Sequence, residues 1–177
     1  MGKHDDERAL IERAVFAAWY AIGGARLCLP MSVLLERILA VVHPTSTFRL
    51  RLGSLGVAPE GGGPGICYDP RGDGGIDNDG FHAWLEDEGK RLLDPSALIS
   101  LKADGFDVDD DVVLLQSSRE FVHQRLRFVY EELSELEMFG VEESRPHLDG
   151  LLGLALNGIV PTSGAIFLDV RWRGTST

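Results

Sequence analysis

Residues 28 to 42 carry Val33, Leu34, Leu35, Ile38, Leu39, Val41 and Val42, with Glu36 and Arg37 the only charged positions. A helix with this pattern is apolar on most faces. It cannot rest on one surface and must sit centrally, covered by other elements. Pro30 fits its first turn, where a missing N–H does no harm, and His43-Pro44 stops it. The rest of the chain therefore has to supply layers around this helix.

The covering elements can be read in order. Residues 5 to 22 predict a helix, with Leu10, Ala14, Ala17 and Ala18 at helical spacing and Glu7, Arg8, Glu12 and Arg13 outside. Gly23-Gly24 ends it. Phe48, Leu50 and Leu52 alternate with Arg49 and Arg51, a strand signal. Residues 53 to 80 hold ten of the 21 glycines and predict a long functional loop, with a short strand at Ile66-Cys67-Tyr68. Phe81 to Leu85 and Arg91 to Pro95 predict two strands about a turn at Asp87-Glu88-Gly89.

Five aspartates in the eight positions from 104 to 111 predict a solvated loop. Ser117-x-x-Glu120 has the form of a capping box and predicts a long helix over 117–139. Val122, Leu126, Val129, Leu133 and Leu136 step along one face of that helix. They could form a homodimer seam, although a core-packing face is the preferred reading. A short apolar helix is expected over 147–157 and a final strand over Ala165–Trp172. The sum is one α+β domain spanning 1–177, with a core of about 20–100 and a helix-and-strand extension over 117–177.

Charge restricts the partners. Lysine and arginine total 17 against 28 acids, a net charge of −11, which argues against nucleic acid or an anionic membrane surface. No span of ~20 apolar residues exists, so no membrane-crossing helix is expected. The segment Met-Gly-Lys-His-Asp-Asp lacks a following apolar run, so no secretory signal is expected. Two cysteines cannot make a disulfide framework. The expectation is a cytoplasmic protein with reduced thiols.

The chemistry-bearing residues are Cys28, His82 and Asp94. Cys28 opens the apolar helix, where the positive end of the macrodipole and free N–H groups favour a thiolate nucleophile. A neighbouring base would complete its activation. A three-residue turn centred on Glu88 would place His82 and Asp94 directly opposite each other on one face, Cβ atoms ~5 Å apart. Gly89 would take the left-handed position of that turn. An aspartate beside an imidazole fixes its tautomer and stabilises its protonated form. A register slip of one residue would turn Asp94 to the other face.

The segments Cys28-Leu29-Pro30-Met31-Ser32 and His82-Ala83-Trp84-Leu85-Glu86, followed by Asp94, resemble the transglutaminase-like and papain-like cysteine superfamily. The similarity is to its lasso-peptide maturation proteases, with their Cys-Leu-x-Arg-Ser and His-Ala-Trp-x-Glu runs. It covers roughly residues 20 to 100. Met31 stands where that group carries arginine, and no glutamine precedes Cys28 to serve an oxyanion. Trp19 and Tyr20 lie in that region but read as packing residues, and the backbone N–H of Cys28 could donate instead. The resemblance implies Cys28 as nucleophile, His82 as general base and acid, and Asp94 as the histidine-orienting residue. It also implies a core in which the cysteine helix packs on an antiparallel sheet carrying His82 and Asp94.

Other chemistry is less well supported. Asp77-x-Asp79-Gly80 with Glu86 matches part of a calcium loop, but Gly75 occupies its first ligand position. Asp69, Asp73, Asp77 and Asp79 read as a solvated acidic loop near the site. His43, Cys67 and His82 lack close zinc-ligand pairing, and Cys67, mid-strand, lacks a helix dipole. Gly61-Gly62-Gly63-Pro64-Gly65 lacks the lysine of a phosphate loop. The expected function is a thiol-dependent hydrolase or acyl transferase that cleaves an amide bond in a peptide or small amide, with no cofactor and no metal. The competing expectation is a non-catalytic acidic protein that binds a basic partner through an inactive version of the fold.

Overall fold

A computed structural model of the chain describes residues 3–22, 28–45, 47–71, 80–109, 113–133 and 151–156. Two helices, α1 (Lys3–Ile22) and α2 (Cys28–Val42), precede β1 (Arg49–Pro59), β2 (Ile66–Tyr68), β3 (His82–Glu86) and β4 (Leu92–Asp94). A short helix α3 (Ala97–Ala103) follows, then β5 (Leu114–Gln116), β6 (Glu120–His123) and β7 (Leu126–Glu132). Residues 151–156 are helical. The strands form one antiparallel sheet in the order β5-β4-β3-β1-β7-β6, with β2 also on β1. The fold is α+β, with a nearly closed antiparallel sheet.

The alternation along β1 divides the core in two. Leu50 and Leu52, with Ala83, Leu85 and Leu93, face the helices. There α2 buries Met31, Val33, Leu34, Leu35, Ile38 and Leu39. Ile11, Ala14, Val15, Ala17, Ala18 and Ala21 of α1 lie in the same cluster. These small alanines let the two helices approach closely, and α2 is central as its sequence requires. Leu55 and Val57 face the other way, with Trp84, Leu92, Leu114, Phe128 and Tyr130, and α3 adds Ala97, Leu98 and Leu101. The inner face of the curled sheet is thus a second core.

The predicted helix over 117–139 is not formed in its described part. Residues 120–132 instead make the β6–β7 hairpin, closed by Gln124 and Arg125, both with positive φ (50° and 61°). Two such residues between paired strands match the twist of a tight hairpin. Leu126, Phe128 and Tyr130 are buried, whereas Arg127, Val129 and Glu131 are exposed, a period of two. Val122 and Val129 of the supposed seam are 49% and 40% exposed while Leu126 is buried, so the stripe is split between faces. The dimer seam over 117–139 therefore has no helix to carry it within residues 120–132. Because β7 pairs with β1 from Gly53 to Pro59, this segment belongs to the central sheet and is no extension of a 20–100 core.

The glycine region also changes. Gly53 to Pro59 continue β1 rather than opening a loop, while Ile66–Tyr68 is a strand as expected. A Cβ on Gly53 would lie 1.9 Å from the Glu131 carbonyl oxygen, so glycine is what lets β1 and β7 meet there. Helix α3 and strand β5 carry too few residues for a periodic signal and were not anticipated. Asp104 to Asp109 run as a turn and loop. The strand expected over Ala165–Trp172, and Asp73, Asp77 and Asp79, lie outside the described residues.

Candidate active site

The placement of Cys28 follows from how α2 lies on β3. Cys28 and Ser32 are four apart and share a helix face. The Cys28 thiol contacts the Phe81 carbonyl oxygen at 3.9 Å, and Ser32 Oγ donates to the Ala83 carbonyl oxygen at 3.1 Å. Four helical residues rise ~6 Å and two strand residues ~6.6 Å. The spacings match, so α2 runs along β3 in a set register. That register brings the thiol to the residue preceding His82.

His82 stands at a break along one edge of β1. β7 pairs with one edge from Gly53 to Pro59, so β3 and β2 lie end to end along the other, His82 opposite Gly53 and Tyr68 opposite Leu55. The imidazole packs between Tyr68 and Tyr130, ring centroids 5.8 and 6.0 Å away. The Cys28 thiol lies near enough to the imidazole to favour its protonated form. The imidazole Nε2 lies 2.5 Å from Asp94 Oδ2.

The β3–β4 turn departs from the expected one. Leu85 pairs with Leu93 and Glu86 with Leu92, so five residues, 87–91, form the connection. Asp87 organises it, accepting from Arg91 N at 2.8 Å and Arg91 Nε at 2.6 Å. Lys90, not Gly89, takes the left-handed conformation, with φ 61°. The register runs two residues from the symmetric one, which places Asp94 opposite Trp84 and diagonal to His82. A shift of two preserves the face where a shift of one would not. Diagonal neighbours remain within reach of an imidazole.

His82 and Asp94 are 2% and 1% exposed, whereas Cys28 is half-buried, so Cys28 is the most exposed of the three residues. Burial is the largest single influence on His82 and acts to lower its pKa. The charge of Asp94, its hydrogen bond and the nearby Cys28 outweigh burial, and the value is pushed up to about 10. Burial likewise opposes the charge on Asp94, but the His82 charge and hydrogen bonds from His82, Ser96 and Tyr130 hold its carboxyl below the usual range.

Sequence reasoning picked out Cys28, His82 and Asp94 as candidates and missed the residues that hold them. Asp94 Oδ1 accepts from Ser96 N, Ser96 Oγ and Ala97 N at 2.8, 3.1 and 2.9 Å, tying the carboxylate to the start of α3. Tyr130 Oη donates to Oδ2 at 2.8 Å. The available signal for Tyr130 was the alternation of Leu126, Phe128 and Tyr130 with Arg127, Val129 and Glu131. Tyr68 Oη donates to Asp104 Oδ2 at 2.6 Å, holding the ring beside His82.

The remaining candidates are apart from this cluster. Tyr20 is 65% exposed. Trp19 packs on the helix core, and its indole N–H is buried without a hydrogen-bond partner among the described residues. Met31 is buried in the core. Cys67 lies on β2 in a shallow cleft of about 410 Å³, and burial, followed by Asp69, pushes its thiol pKa up. Asp69 is paired with Arg71. Among the described residues no group of three His, Cys, Asp or Glu side chains could hold a metal ion, and no helix is long and apolar enough to cross a membrane.

No protein-family model matches the chain, and no curated protein does. Among solved structures, the chain is similar to the crystal structure of genomics target APC5867, with a TM-score of 0.60 and 17% identity. The match covers 89% of this chain and 80% of that one, so what the two share is the fold.

Proposed function

We propose that the protein is a thiol-dependent acyl-transfer enzyme, a hydrolase acting on an amide bond. The observation that carries this reading is the convergence at His82, whose Nε2 lies 2.5 Å from Asp94 Oδ2 and whose neighbour Phe81 is contacted by the Cys28 thiol at 3.9 Å. The likeness of Cys28–Ser32 and His82–Glu86 to the transglutaminase-like and papain-like superfamily supports it.

In this reaction His82 Nδ1 takes the Cys28 proton and the thiolate adds to the substrate carbonyl carbon. The oxyanion forms where the N–H groups of the first turn of α2 lack helical partners. The tetrahedral adduct collapses as His82 returns the proton to the departing amine. Water then enters, gives a proton to His82 and cleaves the thioester, releasing the acid and restoring the thiol. Asp94 keeps the Nε2–H tautomer and stabilises each imidazolium.

The test is labelling by a panel of peptide and amide electrophiles in wild type, Cys28→Ala, Cys67→Ala and His82→Ala. Labelling that is lost in Cys28→Ala and His82→Ala but kept in Cys67→Ala supports the proposal. A wild-type Cys28 that reacts no faster than Cys67 overturns it and leaves the acidic binding module.

A further inference from the structure

The two oxygens of Asp94 are held differently. Oδ1 is saturated by three donors from the chain just after it. Oδ2 is shared by His82 Nε2 and by Tyr130 Oη, which arrives from β7 across the sheet. Tyr130 is 4% exposed. Its ring is set by the edge of Trp84 at 5.2 Å and by Phe121 at 6.1 Å, so the hydroxyl is delivered to Oδ2 in a constrained place. A donor on a carboxylate oxygen withdraws charge from any second donor on that oxygen. Tyr130 and His82 therefore compete for the same negative charge.

We propose that Tyr130 is a positioning residue that sets how strongly Asp94 holds the proton on His82. It keeps Oδ2 aimed at Nε2 while taking a share of its charge, so that the imidazolium can still release a proton. Its catalytic consequence rests on the acyl-transfer reading; its effect on the His82–Asp94 pair does not. Burial, then the charge of Asp94, raises the phenol pKa well above its usual value, so Tyr130 stays a neutral donor while His82 titrates.

The experiment is an NMR titration of the His82 ring nitrogens in the full chain. It compares wild type, Tyr130→Phe and a chain with 3-fluorotyrosine placed at position 130. Removing the hydroxyl returns charge to His82, and its midpoint is expected to rise by about half to one pH unit. The fluorinated phenol is a stronger donor, and the midpoint is expected to fall. The pH profile of Cys28 alkylation by iodoacetamide should move with the midpoint, while that of Cys67 stays in place. Identical His82 midpoints in all three chains, with only thermal stability lowered in Tyr130→Phe, would overturn the proposal. If Tyr130→Phe does not fold, the fluorinated chain decides by the sign of its shift. A wild-type Cys28 no more reactive than Cys67 would sink the enzyme reading alone, since the His82 midpoints still judge Tyr130.

Discussion

Ser32 Oγ donates to the Ala83 carbonyl oxygen across 3.1 Å in a fully buried setting, one helical turn beyond the Cys28 thiol. This bond and the Cys28 contact with Phe81 hold one helix face against one strand at two points. Ser32→Ala leaves the Ala83 carbonyl without its partner and is expected to cost about 1–3 kcal/mol. Urea unfolding measures the loss, and Cys28 alkylation should slow as the helix register loosens. Unchanged stability would show that the bond does not hold the register.

Asp94→Asn keeps the size of the side chain but removes the charge that opposes the burial of imidazolium. Amide turnover, or Cys28 acylation by a reactive amide, is expected to fall about 10²-fold or more. Single-turnover acylation separates this from binding. A loss below about threefold would mean that Asp94 does not orient His82.

Stability should depend on pH in two windows. The folded-state pKa of His82 is raised from 6.5, so its contribution is complete below pH 6.5 and disappears as pH climbs towards about 10. The Asp94 value is lowered from 3.8, so its contribution is present above that pH and is lost as pH falls below it. The Tyr130 value is raised well above 10.0, so the unfolded phenol ionises first and stability falls further at high pH. Thermal unfolding from about pH 3 to pH 10 should show a plateau between roughly pH 4 and 6.5 with two falling limbs. Asp94→Asn should flatten both. An alkaline limb identical in the two proteins would assign it to other groups.

Gly53 faces His82 on one edge of β1 and Glu132 on the other. A methyl group there meets the Glu131 carbonyl oxygen at 1.9 Å, a backbone atom with little freedom to move. Gly53→Ala is expected to cost about 3 kcal/mol and to disturb the site through its strand partner. Chemical unfolding measures the first effect and Cys28 alkylation the second. Gly56→Ala is the control, because a Cβ there finds only a carbonyl oxygen at 3.9 Å.

What local chemistry could decide is visible in α1, α2 and β3. The apolar run after Cys28, the proline in its first turn and the His43-Pro44 stop fixed α2 at Cys28–Val42. The shared face of His82 and Asp94 was likewise legible, because strand parity survives a two-residue error in register. The β6–β7 hairpin was not. Val122, Leu126 and Val129 satisfy a helical period, while Leu126, Phe128 and Tyr130 satisfy a strand period, and short windows cannot arbitrate. Pairing with β1, some seventy residues earlier, chose the strand, since it buries Phe128 and Tyr130 and satisfies the backbone of β7. That same distant pairing delivers Tyr130 to Asp94. The sequence alone determined which side chains are chemical candidates and where α2 begins and ends. Only the tertiary structure decided that Cys28, His82, Asp94 and Tyr130 meet, because their contacts depend on non-local strand register and helix docking that no short stretch of chain encodes.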